Sequence, residues 1–149
     1  KLVEVDNVMS QNFSALRQWM LPSLLRVEAA SNRAFYPHRT FEAGEVARYD
    51  LTQPQGSRTV MVLGGMIAHA DAHFSEAHSC LDTLFYYVNH TYSLEPIQHP
   101  SFLAGRVGSI VSRGKQVGVI GELHPEVLER WQIGVPAVAF ELDLTELAE

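Results

Sequence analysis

A single cysteine, Cys80, in 149 residues excludes an internal disulfide and any metal centre built mainly from thiolates. It fits a reducing compartment, so a cytoplasmic location is expected. No run approaches the roughly 20 apolar residues that a membrane-spanning helix needs, so no membrane partner is expected. Positive charge is scarce: 11 Lys and Arg stand against 17 Asp and Glu, a formal net charge of −6. That balance opposes strong nonspecific binding to a phosphate backbone. Arg26, Arg33, His38 and Arg39 are scattered around one connection and lack the density of a nucleic-acid patch. There is no Gly-x-x-x-x-Gly-Lys phosphate loop, and Gly105-Arg-Val-Gly108 falls in a strand pattern, not at a strand-to-helix turn. No Ser or Cys sits in a nucleophile elbow.

The remaining pattern is that of one domain over residues 1–149, of ordinary apolar content at 46%. Its opening, Lys1-Leu-Val-Glu-Val, reads as a strand entered mid-protein, and Leu144-Thr-Glu-Leu-Ala-Glu149 as the start of a helix; a piece of a longer chain is expected. Leu16, Met20, Leu24, Leu25 and Val27 share a helical face over residues 14–32, with Ser14 as cap. Pro22 should kink that helix or start its main body. Residues 40–49 read as a strand with Gly44 marking a bulge or close contact. The turn signal Gln53-Pro-Gln-Gly56-Ser makes residues 59–63 its antiparallel partner, ended or bent at Gly64-Gly65. A helix follows over residues 74–88, burying Ala77, Leu81, Leu84, Phe85 and Val88. Residues 104–112 and 116–121 are strands joined by a hairpin turn at Arg113-Gly114-Lys115. Antiparallel strands with interspersed helices mean α+β, here an antiparallel sheet of about six strands flanked by helices.

The most informative stretch runs from Val117 to Leu144. Val117 to Ile120 is a β-branched run, and His124-Pro125 forces an extended residue before a helical N-terminus. Glu126 suits the first helical turn. Ala137, Val138, Ala139 and Phe140 are apolar on both faces, as in a central strand. This strand–HPEVL–strand wording resembles the last part of the beta subunit of phenylalanyl-tRNA synthetase. So do Asn7-Val-Met-Ser10 with Leu16-Arg17 and Leu21-Pro22-Ser-Leu-Leu25, similar to that family's "NPMS…LRTSLLPGLL" block, and Phe41-Glu-Ala-Gly-Glu-Val46, similar to its "FEIGDV" strand. Val8 replaces the usual proline, and Gln18-Trp19 a small polar pair.

The resemblance implies a class II synthetase-like core that has lost its chemistry. It implies an alpha-subunit partner in an α2β2 enzyme, with tRNA, ATP and magnesium belonging to the holoenzyme and no cofactor or catalytic residue in this domain. Class II catalysis needs two arginines on the triphosphate, since bidentate guanidinium suits developing phosphoryl charge. Aligned by the motifs, Arg48 matches the first of these arginines. Glu141 and Asp143 fall where catalytic cores carry glycine, and Glu146 falls where the second arginine belongs, so this degenerate nucleotide site should repel ATP. Trp19, Met20 and Leu24 are the residues expected at the partner interface, and a homodimer in isolation is a further expectation. The position of the last strand near the chain's end points to the archaeal or eukaryotic type. Two rivals exist: a free-standing paralogue with a regulatory or amino-acid-binding role, and a small metal-dependent hydrolase. The latter would use His69 and His73, spaced i,i+4, with Asp71 or Glu76. The expectation is of no metal there, because no general-base glutamate follows His69. For His124, a turn role is favoured over that of a base.

Overall fold

Among the described residues, strands are the commonest regular element. The computed structural model describes residues 2–4 and 14–148. In chain order the elements are β1 (Val3–Glu4), β2 (Ala15–Leu16), α1 (Leu21–Ala30), β3 (His38–Tyr49), β4 (Ser57–Ala68), α2 (Phe74–Tyr87), β5 (Ser93–Pro96), β6 (Phe102–Ser112), β7 (Lys115–Leu123), α3 (Pro125–Arg130), β8 (Ala137–Asp143) and α4 (Leu144–Ala148). Six strands form one sheet in the order β3-β4-β8-β7-β6-β5, every pair antiparallel, and β1 pairs with β2 separately. The architecture is therefore α+β, as the patterning implied.

The chain's last strand lies near the middle of the sheet, between β4 and β7. That explains its apolar run, because both faces are covered. Ala137 and Ala139 join the cluster under α1, with Met20, Leu24, Val60, Val62 and Met66. Val138 and Leu142 join the opposite cluster, with Leu81 and Phe85 of α2 and Leu147 of α4. Side chains alternate along a strand, so Glu141 and Asp143 continue the α1 face.

Several expectations shift. Ser14 caps no helix: Ala15–Leu16 is extended, and α1 begins at Leu21 with Pro22 in its first turn. Proline there costs no hydrogen bond and presets the helical φ. Gly64 and Gly65 do not end β4, which runs on to Ala68 in unbroken register with β3. The two glycines instead make room: a Cβ at Gly64 would meet Met20 Cγ at 2.9 Å, and one at Gly65 the Phe140 ring at 2.5 Å. Leu84 is half-buried and Val88 exposed at the end of α2. The strand β5 was not foreseen. Arg113 and Gly114 both have positive φ, at 51° and 75°, the twist that closes a two-residue hairpin. The residues quoted for the "NPMS" resemblance, Asn7 to Ser10, lie outside the described residues.

Met20 and Leu24 correct the interface expectation. Met20 is 0% exposed and Leu24 2%, both packed in the domain's own core against β4. They have no surface left to offer a partner. Trp19, half-buried, is the one of the three with an accessible edge.

Candidate functional site

Helix α1 opens without help from its own sequence. Its N-cap, Met20, makes no side-chain cap bond, and no acidic residue lies in the first turn. The unpaired N–H groups of such a terminus need acceptors. They find one across the fold: Glu141 Oε2 on β8 accepts from Met20 N–H at 2.6 Å and from Leu21 N–H at 3.3 Å. The carboxylate is buried, and burial pushes its pKa up, with the two backbone donors and Arg48 pulling the other way.

Two residues on, Asp143 is buried as well. Its Oδ1 accepts from Glu146 N–H at 3.0 Å, capping the first turn of α4. Its Oδ2 takes the Arg48 guanidinium at 2.7 Å. A cavity of about 350 Å³ sits over this end of β8, with Arg48, Glu141 and Asp143 in its wall and Trp19, Ile97 and His99 among its other lining residues. Trp19 and His99 meet at a centroid distance of 5.4 Å. His99 accepts from Ser101 N–H through Nδ1, and burial lowers its pKa.

The structure thus brings together Arg48, Glu141 and Asp143, the first three of the four residues read from the sequence. Glu146 stands apart, and the expectation for it is corrected. Its backbone touches the group, but its carboxylate turns to Lys115 at 3.1 Å and Arg58 at 3.9 Å, and Lys115 holds its pKa low. As the third residue of α4 it points away from β8, a geometry set by the helix start at Leu144. The sequence reading missed His99, Gln116 and Gly118, which also line the cavity. No motif marks them, since His99 lies in an irregular connection and the others depend on the β7–β8 register. Gly118 is required there: any Cβ would collide with the Glu141 carbonyl oxygen across the strand pair.

Chemically the cavity is committed to internal partners. A triphosphate needs free guanidinium and backbone N–H donors. Here the guanidinium is already on Asp143, and the N–H donors of α1 are already on Glu141. An incoming anion would also face two buried carboxylates, a repulsion strengthened by partial desolvation. The residues present do not fit ATP.

The histidine group is similarly self-satisfied. His69 Nδ1 accepts from Asp71 N–H at 3.2 Å, so its Nε2 carries the proton donated to Glu76 at 2.8 Å. His73 Nδ1 donates to the Asp71 carbonyl at 2.8 Å and lies 3.3 Å from Glu76. Both ring nitrogens of His69 are engaged, Nδ1 as acceptor and Nε2 as donor, and among the described residues no group of three or more His, Cys, Asp or Glu could hold a metal ion. The His69 hydrogen bond holds the Glu76 pKa low. His124 does take the turn role: its Nδ1 accepts from Glu126 N–H at 3.2 Å at the start of α3.

Comparison with known proteins shows the family of the chain. The family model described as "Phenylalanyl tRNA synthetase beta chain CLM domain" matches residues 1–144. The phenylalanine–tRNA ligase beta subunits of Thermococcus gammatolerans and Pyrococcus abyssi are each 40% identical over 147 residues, 99% of this chain and 26% of theirs. That of Treponema pallidum is 38% identical over 146 residues, 98% of this chain and 24% of its own. The chain therefore spans about a quarter of the length of these relatives. Among solved structures, PylSc of Desulfitobacterium hafniense, a pyrrolysyl tRNA synthetase, superposes with a TM-score of 0.70 over 99% of this chain and 52% of its own, at 18% identity. That likeness is one of fold. With a family model matched from residue 1 to residue 144, and beta-subunit relatives aligned along nearly the whole chain, the protein belongs to the CLM-domain family of phenylalanyl-tRNA synthetase beta chains.

Proposed function

We propose that this domain is a class II synthetase-like core that serves assembly and not chemistry. In this reading it packs on the catalytic alpha subunit of phenylalanine–tRNA ligase, within an α2β2 enzyme of the cytoplasm. ATP, magnesium and phenylalanine activation reside in the partner, and tRNA is engaged through the holoenzyme. One observation supports the reading: in the cavity that Arg48 lines, Glu141 and Asp143 are engaged in internal hydrogen bonds, to α1 and to Arg48 respectively. A catalytic core has to keep those donors open.

The likeness in fold to a tRNA synthetase supports the architectural half of this reading. The distribution of exposed apolar side chains supports the assembly half. Phe41 is 79% exposed on β3, at the edge of the sheet, and Met61 is exposed on the neighbouring strand. Phe35, just before β3, is 99% exposed, and Leu51 projects from the β3–β4 turn. Rows of large apolar groups at one sheet edge are a costly exposure for a free domain and mark a contact surface. With Met20 and Leu24 committed to the core, Trp19 and this β3 strip are the proposed contacts.

Co-expression with the alpha subunit tests the reading. The two chains should co-elute, and phenylalanine-dependent pyrophosphate exchange should be at background for this chain alone and appear with the partner present. Exchange by this chain alone would overturn it. In isolation the same strip should drive concentration-dependent self-association, read by sedimentation. Replacing Phe41 and Phe35 with serine should weaken both kinds of association, since neither side chain supports the core.

A further inference from the structure

Helix α2 ends in a closed turn. Asn89 has φ 56°, and the N–H groups of Asn89 and His90 return to the carbonyls of Tyr86 and Phe85 at 3.1 and 3.0 Å. Those bonds are the pair expected when a left-handed residue stops a helix. They occupy carbonyls that otherwise form the negative end of the helix. The turn leaves Tyr86 and Tyr87 outside the fold, each 79% exposed, with ring centroids 5.6 Å apart and edge to face. Beside them is a cavity of about 450 Å³ lined also by Asn89, His90 and Thr91.

The β6–β7 hairpin brings Arg113 to the same place, where its Nη2 donates to His90 Nε2 at 2.9 Å. Arginine has no acceptor atom, so Nε2 accepts and the ring proton sits on Nδ1. That Nδ1–H is buried and has no hydrogen-bond partner. Glu146, which shares the Arg113–Lys115 corner, is itself paired with Lys115. The site therefore holds a guanidinium and two solvent-facing aromatic rings. None of these supports the core: the buried aromatic of this turn is Phe85, packed on Tyr92.

Single-stranded nucleic acid is the partner this combination fits. Bases stack on exposed aromatic faces without regard to sequence, while a nearby guanidinium takes the phosphate. An acidic peptide would use the guanidinium and leave the ring faces unused. We propose that Tyr86, Tyr87 and Arg113 form a contact for an unpaired segment of tRNA in the assembled ligase. The proposal rests on the reading of this domain as part of a tRNA ligase. It is a local site on an acidic domain, so it adds to binding made elsewhere and does not anchor tRNA by itself.

The test uses the ligase assembled from the full-length chain and its catalytic partner. Replacing both tyrosines (Tyr86→Ala with Tyr87→Ala) should raise the KM for tRNA in aminoacylation by about tenfold or more. Phenylalanine-dependent pyrophosphate exchange, which needs no tRNA, should stay unchanged, and the double phenylalanine variant should retain the wild-type KM. Arg113→Gln should lower the slope of log affinity for tRNA against log salt by about one. An unchanged KM and salt slope in an active ligase would overturn the proposal alone. Subunits that no longer co-purify when the tyrosines are replaced would also overturn it, because the surface would then dock protein. A wild-type chain that never joins a ligase would remove the reading beneath it and the proposal together.

Discussion

Removing the Glu141 carboxylate should unseat helix α1 from the sheet. In Glu141→Ala the N–H groups of Met20 and Leu21 lose an acceptor held at 2.6 and 3.3 Å. A lost helix cap costs about 0.5–2 kcal/mol, and a buried donor left unpaired about 1–3 kcal/mol. The two overlap, and water from the adjoining cavity of about 350 Å³ can reach part of the gap. The expected loss is therefore about 2–4 kcal/mol. For a chain of this length that is a Tm fall of roughly 6–12 °C. Glu141→Gln is the informative partner. Its amide oxygen can still accept from Met20, and it escapes the burial that pushes the carboxylate's pKa up. It should fall within about 1 kcal/mol of wild type. Urea unfolding at constant slope measures both, and hydrogen exchange at the Leu21 amide reports the cap directly. An alanine variant within 0.5 kcal/mol of wild type, as an order-of-magnitude threshold, would refute the capping role. A glutamine variant as damaged as alanine would show that the charge, not the acceptor, is what matters.

Other outcomes follow from the same geometry. Gly118→Ala should destabilise by about 3 kcal/mol or more, because the new methyl meets a backbone carbonyl that cannot step aside; Gly64→Ala should cost less, since it meets side-chain carbons of Met20 at 2.9 and 3.0 Å and Leu24 at 3.1 Å, a milder overlap than that with a backbone carbonyl, and thermal unfolding separates the two. Glu122 repeats the Glu141 device, accepting from Phe74 N–H at the start of α2 and from Arg106, so Glu122→Ala should cost about 1–3 kcal/mol and speed exchange at the Phe74 amide. Glu76 has a depressed pKa in the folded state, chiefly through His69, so its contribution is present above the ordinary carboxylate value of 4.5 and is lost as pH falls through the lower folded value. Glu76→Gln should flatten the stability profile in that acid window, and an unchanged profile would rule out the linkage. Glu141 has the opposite sign: its pKa is raised, so the part of its stabilisation linked to protonation is fully present below about 4.5 and is lost as pH rises through the folded value, while the acceptor for the α1 N–H groups remains. Zinc titration of tag-free protein should show no stoichiometric uptake at His69 and His73, and uptake abolished by His69→Ala would contradict the hydrogen-bond assignment.

Much of the fold was legible because its signals are local. The apolar run at Ala137 to Phe140 needs two covered faces, and β8 has them. Pro125 after His124 fixed the start of α3, and Pro22 fixed that of α1 once Ser14 is set aside. What failed was decided by distant partners. Gly64-Gly65 reads locally as a break, yet β4 stays paired with β3 and β8 through both glycines, and the missing side chains make room for Met20 and Phe140. The helical spacing of Met20 and Leu24 identified an apolar face without saying whether core or partner would cover it. Glu141 and Asp143 were legible as departures from a nucleotide site. Their work as caps for α1 and α4 was not, because one of those bonds spans 121 residues.

Titration calorimetry of this chain with Mg-ATP tests the closed nucleotide site most directly. With Arg48 held by Asp143 and the α1 donors held by Glu141, no saturable heat is expected up to millimolar nucleotide. Saturable one-to-one binding that disappears in Arg48→Gln would contradict it, since the guanidinium would then have to leave Asp143 for a phosphate.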